Sequence, residues 1–140
     1  MRALLLAASA LFMATAAVAA GSALSIQRSV FVEKSGEGGV ELARAERLRT
    51  GDKVVLVMRW DETDAAAPFT LNSRVPQTLA YQRSNDDTVL VSADGGRNWG
   101  RIGSLKSGER LVAPEEVTNL RWRISRDDPH GMRSFKAIVR

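Results

Sequence analysis

Ser92, Asp94, Gly96 and Trp99 follow the spacing Ser-x-Asp-x-Gly-x-x-Trp. A hydroxyl and a carboxylate two residues apart, just ahead of a glycine, can bond the backbone N–H groups of a tight turn. That chemistry shapes the chain rather than transforming a ligand. Asp128, His130 and Ser134 supply the residue types of a hydrolase triad. They sit in a stretch that reads as a surface turn, with neither a nucleophile elbow nor an oxyanion cradle beside them. Acidic pairs stand at Asp61-Glu62, Asp86-Asp87, Glu115-Glu116 and Asp127-Asp128. Sequence neighbours do not face each other across a sugar, as glycoside hydrolysis requires. Neither the Asp61 to Asp64 loop nor Asp94 belongs to a spaced calcium loop. The chain has no cysteine and one histidine. Thiolate nucleophiles, iron–sulfur clusters and cysteine-based zinc sites are thereby excluded, and a His-rich metal site is not expected. No cofactor is expected. A small periplasmic hydrolase is the weakest of the functional readings.

A second constellation is cationic. Arg121 and Arg123 alternate with Leu120, Trp122 and Ile124, and Lys136 and Arg140 alternate with Phe135, Ala137 and Val139. On adjacent strands, Arg121, Arg123, Lys136 and Arg140 would line one solvent face as a ladder. Such a ladder can guard a sheet against edge-to-edge pairing. It can also hold an anionic envelope polymer or lipid head groups. The formal net charge is only +4, too modest to point to nucleic acid. Trp60, Trp99 and Trp122 read as core residues rather than as a binding platform.

The elements that position these groups read as strands. Hydrophobic residues make up 44% of the 140 residues and charged residues 26%, a globular balance that fits one domain. Short alternating runs separated by turn residues predict an antiparallel sandwich or barrel. Strands are expected at Ile26 to Val32, Lys53 to Trp60, Pro68 to Val75, Thr78 to Arg83 and Thr88 to Ser92. After the Asp94-Gly95-Gly96 turn, Asn98 to Ile102 is expected to return. Leu120 to Ile124 is the cleanest half-buried strand, and Phe135 to Val139 closes the chain after a turn at Asp127 to Gly131. In Lys53 to Trp60, Val54, Leu56, Met58 and Trp60 share the inward face. Val40 to Arg49 fits helix and strand periods partly, and is assigned as extended. The expected fold is all-β, a sandwich of about seven to nine strands.

Residues 1–20 read as an address. Met1-Arg2 is followed by an apolar run through Leu4, Leu11, Phe12 and Val18, ending in Ala17-Val18-Ala19-Ala20 before Gly21. The run is short and alanine-rich for a spanning helix, which needs ~20 apolar residues. Small residues three and one positions before the cut suit a signal peptidase. Cleavage after Ala19 or Ala20 leaves the 21–140 domain without a transmembrane segment and lowers the net charge to +3. Periplasmic or secreted localisation follows.

Five segments in order resemble the bacterial conserved repeat domain, numbered eleven among domains of unknown function. They are Leu48 to Val54 around Gly51-Asp52, Val75-Pro76 to Tyr81, Ser92 to Trp99 around Asp94-Gly95-Gly96, Val117 to Trp122, and Phe135 to Val139. The resemblance covers about residues 25 to 140. It implies an immunoglobulin-like sandwich of the cell envelope with no established catalytic residues and no cofactor. Trp60 to Asp64 departs from the family's polar loop, and Arg74 stands where an acidic residue is common. Ser92 to Trp99 also resembles the Asp-box of propeller proteins, where its role is structural. A propeller repeats the motif, and this chain has one copy. The functional expectation is an exported, non-enzymatic structural or interaction module. Its partner would be another envelope protein or an anionic envelope polymer, and its alternative is a polyanion- or carbohydrate-binding module.

Overall fold

The computed structural model describes residues 24–61, 68–128 and 130–140. The expected leader lies outside the described residues, as do Glu62, Thr63 and Asp64 of the acidic loop. The described chain is all-β, with every strand pair antiparallel.

The larger sheet is built from β1 (Ile26–Gly36), β2 (Gly39–Arg44), β3 (Lys53–Trp60), β5 (Leu79–Ser84) and β10 (Met132–Val139), in the order β2-β1-β3-β10-β5. The smaller contains β4 (Phe69–Arg74), β6 (Leu90–Ser92) and β9 (Asn119–Ile124), in the order β4-β9-β6. A ribbon of β7 (Lys106–Ser107) and β8 (Arg110–Leu111) precedes a 3-10 turn at Pro114–Glu116.

Inward side chains of both sheets meet in one core. β3 supplies Val54, Met58 and Trp60, β10 supplies Phe135, Ala137 and Val139, and β9 supplies Leu120, Trp122 and Ile124. Trp122 is fully buried, and its indole N–H donates to Ser84 Oγ at 3.3 Å. Burying each large apolar side chain contributes ~1.5–3 kcal/mol of transfer free energy. Leu56 is only partly buried, packed against this core. Val55 and Val57 point to the opposite face, yet they are also buried. Val55 stands between Phe31 and Lys136 in the register. The middle strand is thus covered on both sides, which is why it reads as a nearly unbroken apolar run.

Five expectations need correction. The first strand extends beyond Val32 to Gly36 and turns back through Glu37-Gly38 into β2. The extended assignment of Val40 to Arg49 holds only as far as Arg44. The return from Asn98 to Ile102 shrinks to one bridge, Gly100 with Val91. A turn then takes the chain away, with Ser104 N–H donating to Arg101 O at 3.0 Å. With the short ribbon included, ten strands form among the described residues, more than expected.

The fifth correction concerns the ladder. β9 and β10 are consecutive but lie in different sheets. Ser125 to Asp128 and His130-Gly131 belong to a corner between the sheets rather than to a hairpin. Asp128 Oδ1 pins it by accepting the N–H groups of His130 at 3.1 Å and Gly131 at 3.3 Å. Arg121 and Arg123 therefore face solvent on one sheet and Lys136 on the other, so the four cations share no face.

Candidate functional site

The hairpin after β6 is held by its own side chains. Ser92 is fully buried. Its hydroxyl donates to Asp94 Oδ1 at 2.8 Å and accepts the Gly96 N–H at 2.9 Å. Asp94 Oδ1 also accepts the N–H groups of Arg97 at 3.0 Å and Asn98 at 2.9 Å. Its Oδ2 accepts from Asn98 Nδ2 at 2.6 Å. The bonds from the Asn98 backbone and side chain, joined by the Ser92 hydroxyl, hold the Asp94 carboxyl far below the usual carboxylate range. Gly96 has φ +94°, and a Cβ there would stand 3.3 Å from Trp99 Cζ2. Glycine is needed both for the conformation and for the ring. Trp99 closes the motif by donating Nε1–H to Gly96 O at 2.8 Å. Thr118 ties the hairpin to the smaller sheet: its N–H donates to Ser92 O at 2.8 Å and its Oγ1 accepts the Gly95 N–H at 3.0 Å.

Trp99 then carries a cation. The Arg121 guanidinium lies 3.9 Å from the ring centroid, and its Nε donates to Asn72 Oδ1 at 3.1 Å. The stack and the amide fix one plane of the guanidinium and leave its remaining N–H groups for a ligand. Across the β4–β9 register, Asn72 faces Arg121, Thr70 faces Arg123 and Arg74 faces Asn119. Arg74 and Arg121 are therefore diagonal neighbours on one face, at a spacing of ~7–8 Å. Among the described residues, none of Arg74, Arg121 and Arg123 has a carboxylate partner. Sequence reasoning missed Arg74 and Asn72. Arg74 was visible as a departure from the family pattern, but only the register places it beside Arg121.

Other charged groups are committed elsewhere. Lys136 pairs with Glu33 on the outer face of the larger sheet. Arg140 donates to Leu79 O at 3.3 Å and to Glu115 O, sealing β5 against the 3-10 turn. Arg110 and Glu116 form an ion pair at 2.5 Å. That bond, with the Ala113 N–H, lowers the Glu116 carboxyl to about 2. His130 is exposed in its turn.

Arg133 is buried at the end of the core, although sequence reasoning did not single it out. Its Nη2 meets Asp128 Oδ2 at 2.5 Å and its Nη1 meets Asp128 Oδ1 at 3.3 Å. Nε lies 3.0 Å from Asp86 Oδ2, close enough for an ion pair but at an angle that makes no hydrogen bond. Asp86 also accepts the Thr88 N–H at 2.6 Å. The Arg133 bond outweighs burial and lowers the Asp128 carboxyl. At Asp86 burial pushes upward, but the Thr88 bonds and Arg133 prevail and the carboxyl is lowered. Asp86 and Asp128, which could have suggested acid–base work, hold the corner together.

No protein-family model, curated protein or solved structure matches the chain.

Proposed function

We propose that the chain is an exported, non-enzymatic interaction module of the cell envelope, and that the outer face of its smaller sheet receives an anionic envelope polymer. The observation that carries this reading is the set of Arg74, Arg121 and Arg123 on adjacent strands without a carboxylate partner among the described residues. Arg121 is already oriented by Trp99 and Asn72, so little side-chain freedom is lost on contact. Planar guanidinium groups suit carboxylate, sulfate or phosphate oxygens in pairs.

The finer architecture in this reading is an immunoglobulin-like sandwich of the conserved-repeat-domain type. Two antiparallel sheets sharing one core support it, as does the order of the five sequence segments. The leader over residues 1–20 is removed on export. Mass spectrometry of the exported protein should find an N-terminus at Ala20 or Gly21; exported protein still carrying Met1 would contradict the cleavage.

Binding is tested by retention of the purified protein on immobilised heparin over a salt series. Retention at low salt that weakens steadily as salt screens the contact is expected. Free passage at low salt would dismiss the anionic partner.

A further inference from the structure

The β1–β2 hairpin leaves β2 at the open edge of the larger sheet. Natural edges are guarded by charged side chains, above all lysine, by proline or by a bulge. β2 reads Gly-Val-Glu-Leu-Ala-Arg, with Glu41 and Arg44 but no lysine or proline, and its pairing with β1 runs without a register shift. Val40 and Leu42 share one face of this strand and are 67% and 54% exposed. These are the two most exposed large hydrophobic residues described.

The hydrogen-bond phase of the edge is fixed. The Ala45 N–H donates to Val30 O at 3.2 Å, in step with the Gly36–Gly39 pair that closes the turn. Antiparallel ladders alternate. Gly39, Glu41 and Ala43 therefore turn their backbone groups toward β1, while Val40, Leu42 and Arg44 turn theirs outward.

We infer that β2 pairs antiparallel with β2 of a second copy about a two-fold axis at Leu42, joining the two larger sheets into one. In that register Leu42 faces Leu42 of the second copy and Val40 faces Arg44 of the second copy. Every outward N–H and C=O of Val40, Leu42 and Arg44 then finds a partner. Glu41 faces Ala43 of the second copy, so no like charges are opposed. Centring the axis on Glu41 would set two carboxylates face to face and lose the outer pairs. Centring it on Ala43 would leave the Val40 edge groups beyond the paired strand. The self-pairing is independent of the arginine face, which lies on the other sheet.

The test uses sedimentation velocity of the purified protein over a concentration series. The weight-average mass should rise toward twice the chain mass, and the exposed edge substitution Leu42→Lys should hold it at one chain mass. Because the chain has no cysteine, single cysteines report the register. Cα atoms at the axis would lie ~5.5 Å apart, inside the disulfide range of ~4.4–6.8 Å. Leu42→Cys should cross-link on mild oxidation. Val40→Cys should not, because its counterpart lies four residues away, ~13 Å along the strand. A single chain mass at every concentration would overturn the proposal, including in favour of a strand donated by a different protein. Association surviving Leu42→Lys, or equal cross-linking at both positions, would overturn it as well.

Discussion

Replacing Arg133 with methionine tests whether the corner between the sheets is an electrostatic clamp. Methionine keeps much of the volume but leaves Asp86 and Asp128 facing an apolar group. The Asp128 and Asp86 side chains are only 8% and 22% exposed, so neither regains full hydration. Breaking a buried ion pair from one side costs ~3–5 kcal/mol. The better hydrated Asp86 places the expected loss near ~3 kcal/mol, to which the Trp60 ring 5.9 Å from the guanidinium, at the outer reach of a cation–π contact, adds ~0.5–1 kcal/mol. Against a domain stability of ~5–15 kcal/mol, that is a large fraction. The pH dependence gives a sharper signature. In the native protein both carboxyls are lowered, so their contribution is full above the unfolded value of ~3.9 and fades as pH falls through the folded values. In R133M the carboxyls lose the cation's share of that lowering and keep the bonds from Thr88, His130 and Gly131, so the folded variant takes up protons at higher pH than the native protein and loses less stability as pH falls. The gap between the two proteins should therefore narrow from pH 7 to pH 4. Urea unfolding followed by the fluorescence of Trp60 and Trp122 measures it. A loss below ~1 kcal/mol, or a gap that stays constant with pH, would refute the clamp.

Two further substitutions probe the scaffold under the candidate face. Ser92→Ala leaves the part-buried Gly96 N–H without its acceptor and should cost ~0.5–1.5 kcal/mol; hydrogen exchange at Gly96 should rise well before global unfolding. Trp122→Ala opens a cavity between the sheets and should cost ~3–5 kcal/mol, seen as a lowered urea midpoint with an unchanged far-ultraviolet spectrum before the transition.

Which parts of this fold were legible follows from what periodicity encodes. Alternation over Leu120 to Ile124 and Phe135 to Val139 gives the inward face of each strand, because burial selects every second residue; Lys53 to Trp60, covered on both sides, is buried without that alternation. Alternation does not say which sheet a strand joins. The corner at Asp127 to Gly131 resembles a hairpin in sequence, and that ambiguity scattered the expected cation ladder over two sheets. β2 was hard to read for the opposite reason: Val40 and Leu42 are apolar but exposed, so their pattern reports no core. A signal was available in Gly36-Glu37-Gly38-Gly39, a glycine-rich turn after an alternating run. Arg133 also left a trace. It shares the phase of Phe135 and Ala137, so it had to point inward, and an inward arginine needs carboxylates nearby. The Ser92 to Trp99 hairpin was readable because its bonds are local, whereas the face it supports needed the β4–β9 register.

The most direct test of the anion-binding account compares three proteins for heparin affinity at low salt. Arg121→Gln with Arg123→Gln removes two charges from the proposed face. Lys53→Gln with Arg83→Gln removes the same charge from exposed positions on the larger sheet. The first pair should weaken binding about tenfold or more, ~1.4 kcal/mol, and the control pair should change it far less. Equal losses in both variants would show that net charge alone governs retention, contradicting a built binding face.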